Sequence, residues 1–240
     1  MLKDIRPEDV LFLDIETVPQ YASYNDMPEN HRHFWNKKAN YLVKENETPE
    51  SIFGRSGIYA EFGRIICISA GLIVQHDGKK YFRVKSFYGD NEKDILNGFS
   101  IMLNRFGAKP KSNLCAHNGK EFDFPYISRR MLINGIKLPE LLDVAGKKPW
   151  DVKFLDTMEL WKFGDYKNYT SLDLLANIFE IPSPKDDIDG SQVAEVYYVQ
   201  KDIERIAKYC EKDALTVAQL FLRYKNEPII DAECIERVLE

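Results

Sequence analysis

The chain has 240 residues, a formal net charge of −5 and 44% hydrophobic residues, and this length suits one large α/β domain with a substantial core. No apolar run is long enough to cross a membrane and the N-terminus lacks the hydrophobic region of a signal peptide, so we predict a cytoplasmic protein without a membrane partner. The four cysteines stand far apart in the sequence, which argues against a paired-cysteine zinc site or a disulfide framework. The negative net charge disfavours a protein that coats nucleic acid non-specifically, but it does not exclude an enzyme that acts on nucleic acid.

The first predicted element is a strand that ends in two acidic residues. Four consecutive apolar residues, 10–13, indicate a strand covered on both faces at the centre of a layered α/β domain. Asp14 and Glu16 follow, and because side chains alternate along a strand, both carboxylates point to one face while Ile15 points to the other. Two adjacent acids repel each other and are costly to bury unpaired, a cost that a magnesium, manganese or calcium ion would relieve. A single Asp-x-Glu is also common at solvated surfaces, so the pair alone leaves both interpretations open.

A long polar insert, residues 20–62, follows this strand and carries many scattered aromatic residues. A connection of this length indicates a functional lid or extra helices. We predict a helix within residues 30–46 and a second helix start at residues 48–51. The aromatic residues either stack on nucleic-acid bases or attach the insert to the body of the protein, and the second role is favoured.

The remaining elements begin with a hairpin and continue as strands that alternate with helices. Predicted strands cover residues 64–74, 80–87, 113–117 and 150–157, with a turn at residues 77–78 inside the hairpin. Predicted helices cover residues 91–106, 124–134, 157–163, 171–179, 191–199 and 201–224. This order predicts an α/β fold with a mixed five-stranded sheet flanked by helices, in which the first three strands are antiparallel and the later strands are parallel. We predict that residues 1–240 form a single domain with the insert inside it.

Two further acidic motifs follow later elements of the chain. Asp123 comes after a predicted strand and the turn former Gly119, at the start of a helix, where a helix cap would also explain an acid. Tyr209 and Asp213 lie one turn apart on the last long helix, beside its apolar stripe, so both side chains should face the protein interior. Taken singly, each of these residues is explained at least as well by a structural role.

The three motifs in chain order are Asp14-x-Glu16, Asn118-x-x-x-Phe122-Asp123 and Tyr209-x-x-x-Asp213. Together they resemble the DnaQ-like 3′–5′ exonucleases of the ribonuclease-H-like superfamily, which are named for four acids. The tyrosine-bearing (DEDDy) subgroup fits, because Lys208 occupies the position at which the other subgroup has histidine. The motifs look most like the proofreading exonuclease domain of family B DNA polymerases, and the resemblance extends over residues 10–224. No polymerase follows in this sequence, so we expect a stand-alone relative.

The resemblance implies a ribonuclease-H-like fold and a site for two divalent metal ions, Mg²⁺ or Mn²⁺. The implied metal ligands are Asp14, Glu16, Asp123 and Asp213. Phosphodiester hydrolysis places charge on both the attacking and the leaving oxygen, which two metals can stabilise. Tyr209 would complete the catalytic set by orienting the attacking water, because a phenol with an ordinary pKa of about 10 is better suited to orienting than to abstracting a proton.

The candidate substrate-binding residues are Thr17, Asn118, Phe122 and Lys185. Thr17 would bond the terminal 3′-hydroxyl, Phe122 would pack beneath the site or against the terminal base, and Lys185 would contact a phosphate. Asn118 would contact the sugar–phosphate backbone or a metal-bound group, although a turn-forming role explains it about as well. Asp156 is predicted to cap the helix that follows it rather than to bind metal.

The sequence therefore favours a metal-dependent 3′–5′ exonuclease that acts on single-stranded nucleic acid and releases nucleoside 5′-monophosphates, with DNA favoured over RNA. An exoribonuclease is the first alternative, because no residue indicates how a 2′-hydroxyl is treated. A non-catalytic nucleic-acid-binding module is the alternative from another class, and the presence of all four acids and Tyr209 disfavours it. A role beside a partner in DNA replication or repair, such as a polymerase, also stays open.

Overall fold

The apolar run that begins at Val10 forms a central strand of the protein's sheet. A computed structural model of the chain describes residues 2–165, 169–182 and 188–238. Its strands are β1 (Val10–Pro19), β2 (Gly63–His76), β3 (Lys79–Tyr88), β4 (Asn113–Ala116), β5 (Phe154–Asp156) and β6 (Ile235–Arg237). Its α-helices are α1 (Glu29–Ala39), α2 (Glu92–Gly107), α3 (Asp123–Ile133), α4 (Thr157–Lys162), α5 (Leu172–Ile178), α6 (Val193–Glu195) and α7 (Ile203–Tyr224). Short 3₁₀ helices cover Pro7–Asp9, Phe53–Ile58, Pro149–Asp151 and Ala232–Cys234, and a π-helical turn covers Val196–Gln200.

The strands form one mixed sheet in the order β5-β4-β1-β2-β3-β6. β1 pairs antiparallel with β2 and β2 with β3, and the β2–β3 turn uses Asp77 and Gly78, whose φ angles are 50° and 77°. On the other edge of β1, β4 pairs parallel with β1, and β5 pairs parallel with β4. The predicted α/β class and strand directions are confirmed. The predicted number of five strands is wrong, because β6 adds a sixth strand parallel to β3, and its three residues are too few to show a strand periodicity.

Helices cover both faces of the sheet because apolar side chains alternate along β1. Leu11, Leu13 and Ile15 pack with α2 and α3 on one face. Val10 and Phe12 pack with α7 on the other face. Asp14 and Glu16 therefore continue the α7-facing series in the middle of the strand. None of the helices in the described part of the chain has the length and apolar character needed to span a lipid bilayer.

A buried ion pair joins the start of α2 to the last turn of α3. Arg130 Nη2 lies 2.6 Å from Glu92 Oε2, and the two side chains are only 5% and 8% exposed. Arg130 Nη1 also donates to the Ala60 carbonyl oxygen at 2.8 Å, and the Ile65 N–H donates to Glu92 Oε1 at 2.7 Å. The network thus fixes α3, the helix that begins at Asp123, to α2 and to the start of β2.

The insert, residues 20–62, folds around a small core of its own. Trp35 on α1 is fully buried, and its indole N–H donates to the Pro49 carbonyl oxygen at 2.8 Å. It packs in a cluster with the buried residues Met27, Ala39, Ile52 and Phe53. The helix predicted within residues 30–46 corresponds to α1, which ends at Ala39. The helix start predicted at residues 48–51 is wrong, because a hydrogen-bonded turn there leads into the 3₁₀ helix Phe53–Ile58.

Candidate active site

Asp14 and Glu16 lie where β1 faces α7. Oxygens of their carboxylates and the Cys210 sulfur lie within 4.8 Å of one another. Glu16 is only 7% exposed, and Asp14 Oδ2 is buried with no hydrogen-bond partner among the described residues. Cys210 Sγ donates to the backbone oxygen of Asp14 at 3.3 Å, which joins α7 to β1 at this point. β1 continues past both acids to Pro19, so the prediction that the strand ends at Asp14 and Glu16 is wrong, and the middle of β1 holds them against α7.

α7 contributes Tyr209 and Asp213 to the same region. The two residues are one helical turn apart, and the Tyr209 hydroxyl is hydrogen-bonded to the Asp213 carboxylate. Burial raises the pKa of Tyr209 far above its usual value, and the charges of Asp213, Glu16 and Asp14 raise it further. The expectation of an ordinary phenol pKa is therefore wrong, because these surroundings favour the protonated hydroxyl.

Asp123 reaches the site through the turn that follows β4. Asn118 adopts the left-handed region with φ of 60°. A Cβ atom at Gly119 would lie 2.4 Å from the Cβ atom of Ala116, so the turn needs glycine there. Asp123 is then the first residue of α3 and is 4% exposed. Its carboxylate is hydrogen-bonded to the backbone of Ile15, which fixes it beside β1.

Asp156 braces this turn from β5. Its carboxylate accepts hydrogen bonds from the backbone N–H groups of Asn118 and Lys120, each at 3.0 Å. The same carboxylate accepts from the N–H groups of Met158 and Glu159, so the prediction that Asp156 caps α4 is confirmed. The brace on the turn is a second role that the sequence did not reveal. Backbone donors account for this acid without a metal ion.

Each acid at the site makes ionisation of the other acids less favourable. Burial raises the pKa of the Asp14 carboxyl well above its usual range, and the charges of Asp213, Glu16 and Asp123 raise it further. Burial and then the charge of Asp213 raise the pKa of Glu16 in the same way. The pKa of Asp123 rises to about 8, mainly through burial. Negative charge is thus concentrated in an enclosed space, a situation that a bound cation would relieve.

The donor atoms of the site fit a hard divalent cation. Carboxylate oxygens are the ligands that Mg²⁺ and Mn²⁺ prefer in proteins. The unpartnered Asp14 Oδ2 lies among them, within the described part of the chain, as a ready ligand atom. Asp123 and Asp213 are near enough to raise the pKa of the Asp14 carboxyl. Cys210 adds a sulfur to the group, but this thiol already donates to the Asp14 carbonyl oxygen.

The candidate substrate-binding residues are distributed around these acids. The Thr17 hydroxyl is hydrogen-bonded to Tyr126 of α3. Phe122 is half-buried, and its ring centroid lies 5.4 Å from that of Tyr126. Asn118 Oδ1 is buried and, among the described residues, has no hydrogen-bond partner. Lys185 lies outside the described residues.

A cavity of about 680 Å³ opens beside Glu16, which alone of the four candidate acids lines it. Glu16 and Thr17 of β1 and Phe122 line one side of it. The insert lines another side with Arg55 and Ile58. The insert therefore forms part of the wall of this cavity.

Two residues near the acids were not singled out from the sequence. Cys210 follows Tyr209 on the apolar stripe of α7, so its position beside β1 could have been inferred from helical periodicity. Partial burial and then the charge of Asp123 raise the pKa of Tyr169, which therefore lies near the acids. The neighbouring Thr170 carbonyl oxygen lies 2.9 Å from Nε2 of His117. No motif or periodicity could have located this loop residue.

Residues 58–229 match a protein family described as "Predicted 3'-5' exonuclease related to the exonuclease domain of PolB". A DNA polymerase from Pyrococcus glycovorans is 24% identical over an alignment of 143 residues, which covers 54% of this chain and 18% of the polymerase. The structure is similar to that of the family B DNA polymerase from the hyperthermophilic archaeon Pyrobaculum calidifontis, with a TM-score of 0.52 and 16% identity. That similarity covers 91% of this chain and 24% of the polymerase chain, and it shows a shared fold. The chain spans less than a quarter of the length of these two polymerases.

Proposed function

Because the chain belongs to the family of predicted 3′–5′ exonucleases related to the exonuclease domain of PolB, we propose that it is a metal-dependent exonuclease of single-stranded DNA. It hydrolyses the terminal phosphodiester bond from the 3′ end and releases nucleoside 5′-monophosphates. The observation that carries the proposal is the enclosed group of acids between β1, α3 and α7, whose raised pKa values come from burial and mutual repulsion.

The family match covers only three of the five proposed catalytic residues. Asp123, Tyr209 and Asp213 fall within residues 58–229, whereas Asp14 and Glu16 precede that range. The support for Asp14 and Glu16 is their position, because their carboxylate oxygens lie within 4.8 Å of each other and the charge of Asp213 acts on both.

Asp14, Glu16, Asp123 and Asp213 would hold two divalent ions, Mg²⁺ or Mn²⁺. When bound, the ions would lower the pKa of the attacking water and stabilise the charge that develops on the attacking and leaving oxygens. Asp14 would be one of these ligands, because its buried Oδ2 has no other partner in the described residues. Glu16 and Asp213 are the proposed ligands of the ion beside the water, and Asp123 that of the other ion.

Tyr209 is proposed to orient the attacking water. The raised pKa of its phenol keeps the hydroxyl protonated, and its hydrogen bond to Asp213 fixes the hydroxyl beside the acids. A protonated phenol can hold a water by hydrogen bonding but cannot take its proton. In the reaction, the water oxygen bonds to phosphorus, and the bond from phosphorus to the 3′ oxygen of the preceding nucleotide breaks.

The proposed substrate contacts follow from the cavity beside Glu16. Phe122 offers a half-exposed ring on which the terminal base can stack. Thr17 lines the same cavity, where its backbone can bond the terminal 3′-hydroxyl, since its own hydroxyl is bonded to Tyr126. Asn118, with its unpartnered Oδ1 among the described residues, is the proposed contact to the sugar–phosphate backbone. Lys185 stays a predicted phosphate contact.

The test is a timed digestion of matched 5′-labelled single-stranded DNA and RNA with Mg²⁺, with Mn²⁺ and with EDTA. We expect a metal-dependent ladder that shortens from the 3′ end, faster for DNA. The Asp14→Asn variant should leave the strands intact, whereas the matched Asp143→Asn variant, which alters an exposed acid, should cut like the unmodified protein. A faster RNA ladder would reassign the substrate to RNA.

Intact strands with the unmodified protein, together with strand binding, would replace the proposal with a nucleic-acid-binding module. The relation to DNA polymerases also leads us to propose a replication or repair partner. Co-purification of a polymerase with the protein would support that partner.

A further inference from the structure

The insert is folded firmly against the end of β1. The Tyr126 hydroxyl donates to the Gly57 carbonyl oxygen at 2.8 Å in a buried position. At Gly57 a Cβ atom would lie 3.0 Å from the ring and backbone of Pro19, so the 3₁₀ helix Phe53–Ile58 packs closely on the strand. The Gln20 N–H donates to the Phe62 carbonyl oxygen at 2.9 Å, which ties the two ends of the insert together. The residues of this 3₁₀ helix therefore have fixed positions relative to Glu16 and Thr17.

Arg55 lies on that 3₁₀ helix and lines the cavity beside Glu16. Among the described residues that line the cavity, it is the one basic side chain. Its side chain is exposed, and Nη1 makes a long hydrogen bond of 3.4 Å to the Leu42 carbonyl oxygen. Glu47 is the other charged residue on the insert side, and its carboxylate accepts the Lys44 N–H at 2.8 Å.

A single-stranded nucleic acid that enters this cavity brings its negatively charged phosphates toward the acids, which repel them. A guanidinium on the insert side of the cavity would offset that repulsion, and its planar fork of donors matches the geometry of a phosphate. The family match begins at residue 58, so Arg55 lies outside it and nothing in the match assigns this residue a role.

We propose that Arg55 binds a backbone phosphate of the single strand whose 3′ end reaches Asp14 and Glu16. The insert is then the wall of the substrate cleft that positions the strand, and Arg55 is its phosphate contact. This inference rests on the proposed exonuclease function.

The test compares strand binding by Arg55→Gln and by the matched variant Arg105→Gln, which removes an exposed charge from the end of α2, outside the cavity lining. Both changes are made in an Asp14→Asn background, so that the strand stays intact. Affinity for a 5′-fluorescein-labelled oligothymidylate is measured by fluorescence anisotropy in EDTA over a series of salt concentrations. A lost phosphate contact lowers the slope of log affinity against log salt by about 0.7 for a single strand.

We expect Arg55→Gln to weaken binding about tenfold at low salt and to reduce the slope by about 0.7, while Arg105→Gln changes neither. Arg55→Lys should restore the slope, because it keeps the charge, but only part of the affinity. Equal slopes for Arg55→Gln and Arg105→Gln would overturn the proposal, as would failure of the Asp14→Asn protein to bind the strand. Because binding is measured without hydrolysis, an unmodified protein that cuts no strand would contradict the proposed function without deciding the role of Arg55.

Discussion

Replacing Asp14 by asparagine should stabilise the metal-free protein while it abolishes hydrolysis. The carboxylates of Asp14 and Glu16 approach within 4.8 Å in a buried site, so each makes the charge of the other unfavourable. An amide of the same shape removes one charge and can donate a hydrogen bond to the remaining carboxylate. The residue would thus be kept for its chemistry at a cost in stability.

The separation of the two carboxylates sets the size of the effect. Two unit charges 4.8 Å apart interact by about 3.5 kcal/mol at an effective dielectric constant of about 20. The raised pKa values favour the protonated form of these acids, which reduces the repulsion that is present. We therefore expect Asp14→Asn to raise the free energy of unfolding by about 1–3 kcal/mol in EDTA at pH 9, and by less at pH 6.

The pH dependence has a defined sign. A carboxyl whose pKa is higher in the folded than in the unfolded chain binds more protons when folded, so stability falls as pH rises between the two values. For Asp123 that window runs from about 4, the unfolded value, to about 8. Urea unfolding in EDTA from pH 5 to 9 should show this fall in the unmodified protein and a shallower fall in Asp14→Asn.

The control is Asp143→Asn, which changes an exposed acid by the same chemistry. Its free energy of unfolding should follow that of the unmodified protein at every pH. If Asp14→Asn gave no more stability than Asp143→Asn at pH 9, the acids would not repel each other as the structure indicates. In the expected case, addition of Mg²⁺ should make the unmodified protein more stable than Asp14→Asn, because the ion stabilises only the protein that keeps its ligands.

Two further changes separate chemistry from stability. Tyr209→Phe should slow hydrolysis by about tenfold or more and leave the Mg²⁺-induced rise in melting temperature intact, because the hydroxyl orients water and is not a ligand; unchanged turnover would remove Tyr209 from the mechanism. Arg130→Met should lower the free energy of unfolding by about 3–5 kcal/mol, since it leaves the buried Glu92 carboxylate unpaired. A urea titration measures that loss, and the double variant Arg130→Met/Glu92→Leu should recover a large part of it. A loss below about 1 kcal/mol for Arg130→Met would show that the ion pair is solvated.

The sequence was sufficient to predict an element and its buried face where a hydrophobic pattern runs through that helix or strand. The four apolar residues before Asp14 predicted the central strand, and the alternation of side chains predicted that Asp14 and Glu16 share a face. Helical spacing likewise predicted that Tyr209 and Asp213 point inward from α7. These features depend on local periodicity, and packing on both sides of β1 agrees with it.

The sequence was insufficient where tertiary contacts decide the outcome. β6 has three residues and exists because it pairs with β3, which no local pattern encodes. Asp156 was predicted as a helix cap, yet its second oxygen also holds the turn before Asp123, a contact between distant parts of the chain. The wall that carries Arg55 depends on how the insert folds back, and composition alone left its role open.

β1 and the insert differ in how much of the protein must open to expose them. β1 is hydrogen-bonded on both edges, to β2 and β4, and covered on both faces, so its amide hydrogens should exchange only when the whole domain unfolds. The apolar cluster of the insert is separate from the clusters around β1, so the insert can open locally at a smaller free energy. On warming, the insert would open first and its contact with a bound nucleic acid would be lost. Asp14 and Glu16 on β1 would stay in place until the whole protein unfolds.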